Sequence, residues 1–106
     1  MKELHKENFD SEVGNSSGFM LVDFWSESCE ECAELMPEIE NLESEFSGSV
    51  VFGKVDIKGN RRLAIREKVM GLPSILIYKD GKQLASFSKE FDVDDISSKL
   101  KELLND

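Results

Sequence analysis

At 106 residues the chain suffices for one compact domain and is too short for two, and its 40% hydrophobic content suits a packed core. The formal net charge of −9 argues against nucleic acid or an anionic membrane surface as partner. The charge is uneven: residues 1–50 hold 2 basic and 13 acidic side chains and residues 51–106 hold 11 and 9, with six of the basic ones falling between Lys54 and Lys68. No apolar stretch follows Met1 to His5 to suggest a signal peptide, and the apolar run from Phe19 stops at Asp23, far short of a membrane span. A single domain over 1–106 in the reducing cytoplasm is expected.

Residues 2–6 read as a short edge strand, and Asn8 as the cap of a short helix with Phe9 and Val13 one turn apart. Gly14 to Gly18 is a break. The apolar run 19–25 is a central strand buried on both faces. Leu35, Met36, Ile39, Leu42 and Phe46 predict a helix over 29–46, with a kink where Pro37 removes one N–H and crowds the Ala33 carbonyl. Ser47-Gly48-Ser49 ends it, 50–57 is the next strand, and Asn60 caps a helix over 61–68. Gly71-Leu72-Pro73 is a turn, Ser74 to Tyr78 a strand, and Asp80-Gly81 a tight hairpin leading into Gln83 to Phe87. Asp92 caps a last helix whose apolar face is Val93, Ile96, Leu100, Leu103 and Leu104. The order β-α-β-α-β-α-β-β-α implies a mixed sheet between helices, an α/β fold.

The only two cysteines are Cys29 and Cys32, set where the buried strand meets the long helix. A Cys-x-x-Cys at such a junction reads as a dithiol redox centre. Two intervening residues let both sulfurs meet on the first helical turn, and the loop they close is too small to stabilise the fold much. Cys29, nearer the helix N-terminus, gains most from the unpaired N–H groups and the helix dipole that favour a thiolate. Half of a metal site is the competing reading. A zinc site needs four ligands and His5 is the sole histidine, so metal or an iron–sulfur cluster would require two chains to pool their cysteine pairs.

Val22-Asp23-Phe24-Trp25, the Cys29/Cys32 pair, Pro37, Lys54-Val55-Asp56-Ile57, Gly71-Leu72-Pro73 and Asp80-Gly81-Lys82 follow one another at a spacing that resembles the thioredoxin family, over about Phe19 to Leu104. The resemblance implies a five-stranded mixed sheet flanked by four helices and a cis bond before Pro73 packed beside the dithiol. It implies a thiol–disulfide oxidoreductase without a cofactor or metal, a monomer that reduces disulfide-containing proteins and is recharged by a thioredoxin reductase. In that scheme Cys29 attacks the target disulfide, Cys32 resolves the mixed disulfide, and the two cycle through a Cys29–Cys32 disulfide. Asp23 relays a proton toward Cys32, which suits a buried carboxylate whose proton affinity burial has raised, with a strand residue turned to solvent at a sheet edge as the alternative. Lys54 matches the lysine near that aspartate, with a plain surface lysine as the alternative. Leu72 and Pro73 form the edge along which an extended target segment docks. Trp25 shields the dithiol or simply fills the core.

The chain departs from the family where Ser28-Cys29-Glu30-Glu31-Cys32 replaces Trp-Cys-Gly-Pro-Cys. Ser28 removes apolar surface from the docking face, the helix start loses a proline, and Lys89 stands where the family has glycine. Glu27, Glu30, Glu31 and Glu34 surround the thiols with negative charge, so the Cys29 thiolate is expected to form less readily than in the usual motif. Alternatively these acids are a solvated face. Lys58, Arg61, Arg62, Arg66 and Lys68 read either as a solvated helix or as a patch for an acidic reductase or target. A carrier dedicated to one enzyme system, a non-redox binding module and a metal carrier remain as other functions.

Overall fold

The computed structural model describes residues 1–15 and 18–105. Ser16 and Ser17, the middle of the predicted break, lie outside them. The elements are β1 (Lys2–Leu4), α1 (Phe9–Gly14), β2 (Phe19–Trp25), α2 (Glu30–Glu45), β3 (Val50–Asp56), α3 (Arg61–Arg66), β4 (Ser74–Lys79), β5 (Lys82–Ser88) and α4 (Val93–Leu104). The five strands form one mixed sheet in the order β1-β3-β2-β4-β5. β1, β3 and β2 run parallel, and β4 and β5 add antiparallel neighbours.

β2 suits the middle because both of its faces are apolar. Successive side chains of a strand point to opposite faces. Met20, Val22 and Phe24 therefore pack with Phe9, Val13, Leu63 and Ala64 in the layer of α1 and α3. Leu21 joins Leu35, Ile39, Leu42, Ile96 and Leu100 in the layer of α2 and α4. Asp23 shares a face with Leu21 and so lies under α2. Gly53 lets β1 close on β3, since a Cβ there would stand 2.7 Å from Leu4 Cδ1.

α2 runs unbroken through Pro37, and Ala33, whose carbonyl loses its helical partner, lies on the exposed side. Two expected caps work differently. Neither the Asn8 nor the Asn60 side chain bonds to the start of its helix. Asn8 Oδ1 accepts from the His5 N–H at 2.8 Å, and Asn60 Oδ1 from the Lys6 N–H at 2.8 Å. Asp92 does cap α4, in a reciprocal box with Asp95. α3 stops at Arg66, two residues before the expected end, and the chain then turns through Lys68 at φ 65°.

Candidate functional site

β2 delivers the chain at its C-terminal end into a turn, Ser26 to Ser28, that aims Cys29 at the start of α2. The Cys29 N–H donates to the Ser26 carbonyl at 3.1 Å, and the Ser28 N–H to Ser26 Oγ at 3.3 Å. Ser28 is exposed, its hydroxyl 3.1 Å from that of Ser26. Cys29 is itself the N-cap: its backbone is extended, and its Sγ accepts from the Cys32 N–H at 3.1 Å. A sulfur thus takes the place of the usual capping oxygen and faces a helix N-terminus that favours negative charge. Cys29 and Cys32 are joined in a disulfide with Cα atoms 5.2 Å apart. Cys29 is half-buried, whereas Cys32, on the inner side of α2, is 2% exposed. Glu30 and Glu31 stand exposed in the same first turn.

Asp23 is 1% exposed, and neither carboxylate oxygen has a hydrogen-bond partner among the described residues. Burial pushes its pKa up to about 7, against a smaller opposing pull from the Lys54 ammonium. Lys54 is the register neighbour of Asp23 across the β2–β3 pair and of Glu3 across the β1–β3 pair, so the cation stands in a row between two acids. Lys54 and Asp23 do not meet in an ion pair, and Lys54 Nζ sits 6.0 Å from the ring centre of Trp25. Trp25 is half-buried and shares with Lys54, Glu3 and His5 a hollow at the β1 side of the sheet.

Leu72 and Pro73 are joined by a cis peptide bond; Pro73 is buried and Leu72 half-buried. The Ser74 hydroxyl donates to the Gly71 carbonyl, while none of the loop hydrogen bonds among the described residues engages Leu72. Pro73 and the α2 residues Glu31, Glu34 and Leu35 wall one hollow, which brings the Leu72–Pro73 loop against the helix that carries the disulfide. Lys89 adopts φ 66°, and its side chain lies along Gly71, with Cε 3.1 Å from where a Cβ on that glycine would stand. The cysteine pair, Asp23 and Pro73 thus gather about the start of α2; Lys54 and Trp25 extend the group toward β1. Sequence reasoning missed Glu3, whose place beside Lys54 depends on a parallel register that no local pattern encodes, and the exposed Ile65 and Met70 near Leu72.

Among the described residues no group of three or more His, Cys, Asp or Glu side chains is arranged to hold a metal ion, and no helix is long and apolar enough to cross a membrane. The family model described as Thioredoxin matches residues 1–102. A protein named Thioredoxin from Acetoanaerobium sticklandii is 51% identical over 90 residues, covering 85% of this chain and 86% of its own. Another of that name, from Peptoclostridium acidaminophilum, is 40% identical over 88 residues, covering 83% and 80%. A third, from Buchnera aphidicola, is 36% identical over 84 residues, covering 79% and 78%.

Proposed function

Since this chain belongs to the thioredoxin family and is a thiol–disulfide oxidoreductase, a dithiol carrier of electrons, we propose that Cys29 is its nucleophile and Cys32 its resolving thiol, acting on disulfides of other proteins. The observation that carries this is the half-buried Cys29 at the α2 N-cap, bonded to a buried Cys32. In the reduced protein the Cys29 thiolate attacks one sulfur of the target disulfide. A bond forms between those two sulfurs, and the target's other sulfur leaves as a thiolate that takes up a proton. Cys32 then gives up its proton and attacks Cys29 Sγ, restoring the Cys29–Cys32 disulfide and expelling the target's second thiolate. Two electrons pass to the target, and a reductase returns two to the carrier.

Asp23 is the acceptor of the Cys32 proton. Its burial under α2 and its raised pKa, near neutrality, support that role, because both of its protonation states are then populated at working pH. Lys54 moderates the raised affinity, and Trp25 covers Lys54. Ser28, Leu72 and Pro73 border the bound target segment, whose backbone pairs with that of Leu72, a residue with no partner of its own in the loop. The carrier works as a monomer in the cytoplasm, where thiols are kept reduced, and is recharged by a thioredoxin reductase.

The test is reduction of insulin disulfides with dithiothreitol as electron source. The parent is expected to accelerate it and Cys29→Ser to abolish the acceleration. Cys32→Ser should instead accumulate a covalent mixed disulfide with the target through Cys29. A Cys29→Ser variant as active as the parent would remove Cys29 from the role.

A further inference from the structure

Two hollows flank the Leu72–Pro73 peptide, and they carry opposite charge. On the Leu72 side the floor is apolar, formed by Ile57, Ala64, Val69 and Leu72, and Ile65 and Met70 rise beside it 73% and 83% exposed. Arg61 stands on the rim. Among the described residues Lys58, Arg61 and Arg62 enter no ion pair, in contrast with Arg66, which is tied to Asp10 and Glu67. The first turn of α3 contains no acid to neutralise them. On the Pro73 side Glu31, Glu34 and Glu38 of α2 and Asp92 wall the second hollow, with Lys89 the one cation lining it. None of those three glutamates is in an ion pair among the described residues.

We propose that this face selects its target proteins by charge order: the disulfide-bearing segment of the target places an apolar and an acidic side chain toward α3 and a basic side chain toward α2. The inference rests on the exchange reaction assigned to Cys29 above. A segment attacked by Cys29 lies across Leu72–Pro73 and therefore spans both hollows. Covering Ile65 and Met70 removes apolar surface from water and favours an apolar residue on the α3 side. Arg61 and its neighbours then pair with an acid there, while Glu31 and Glu34 pair with a base on the other side. A segment of reversed order meets like charge at both ends, which slows encounter and docking. Ser28, small and polar, contributes no broad apolar platform to compete with this selection.

The test uses the fully reduced protein and three synthetic peptides, each with one cysteine capped as a disulfide with a small neutral thiol. One peptide has a leucine and glutamates before the cysteine and lysines after it, the second the reverse, and the third is uncharged. Single-turnover release of the capping thiol is measured at low and high salt. One charged peptide is expected to react about tenfold faster than the other at low salt, with the neutral one between them and the ratio shrinking as salt screens the charges. Arg61→Glu with Arg62→Glu should collapse that ratio, and adding Glu31→Lys and Glu34→Lys should invert it. The ratio cancels any change in intrinsic Cys29 reactivity that the α2 substitutions bring. Charged peptides reacting within about twofold of one another in the parent at low salt would overturn the proposal. No exchange even with the neutral peptide would overturn the assignment of Cys29, and the charge-order proposal with it.

Discussion

Asp23 couples the chemistry of the site to the stability of the fold. In the folded chain its pKa lies at about 7, against an ordinary 3.8. Between those values the folded protein holds the proton and the unfolded chain releases it, so stability falls as pH rises through the window and levels off above about pH 7. A shift of about three units corresponds to about 4 kcal/mol at full extent. Asp23→Asn, which never ionises, is therefore expected to flatten the pH profile and to exceed the parent in stability at about pH 8, as urea unfolding at about pH 5 and pH 8 would show. The same variant is expected to resolve mixed disulfides more slowly, measured by single-turnover target release; an unchanged rate would remove Asp23 from the proton path. Lys54→Met takes away the pull that favours the carboxylate, so Asp23 should titrate still higher, readable from its carboxyl carbon by NMR. A lone acid inside an apolar run was legible in the sequence as a perturbed group. That its neighbour cation is shared with Glu3 was not, because the row Glu3, Lys54, Asp23 joins three strands.

At the scale of elements, the Asp80-Gly81 turn and the Asp92 cap were legible from local chemistry, whereas Asn8 and Asn60 spend their oxygens on backbone outside their helices. Asp80 at φ 52° and Gly81 at φ 82° both occupy the left-handed region, as the two-residue turn joining β4 to β5 requires, and the Asp-Gly pair announces it. Gly81→Ala should cost about 1 kcal/mol in thermal or urea unfolding, from the steric penalty of a Cβ there. Asp92 was equally readable, since its cap partner Asp95 lies three residues on. Asn60 was misread because its oxygen is claimed by Lys6, 54 residues away, while its amide donates to the Asp56 carbonyl at 2.8 Å. That side chain ties the segment after β1 to the loop before α3, a task no window around residue 60 reveals. The cysteine pair belongs with the legible features: a strand feeding a helix fixes where both sulfurs stand.

Over the whole molecule the sheet interleaves the two halves of the sequence. β2, from the acidic half, lies between β3 and β4, so the acids of α2 and Arg61 of α3 come to opposite sides of one loop. The strands and helices could be read from periodicity, but this juxtaposition depends on strand order. β2 is enclosed by strands on both edges and by apolar layers on both faces, whereas β1 has three residues and β5 is largely exposed. Amide hydrogen exchange should therefore be slowest in β2 and its pairs to β3 and β4, and faster along the free edges of β1 and β5.

Tyr78, the only tyrosine in the chain, packs edge-on against Phe9, and its hydroxyl donates to Glu67 Oε1 at 2.6 Å. Burial, and the carboxylate it serves, hold the phenol well above its usual ionisation range. While the native structure lasts, this ring cannot become a phenolate at moderately alkaline pH; it does so only when the core opens. The protein thus contains its own optical gauge: in an alkaline titration the phenolate absorbance should rise in step with the loss of far-ultraviolet ellipticity, as one transition.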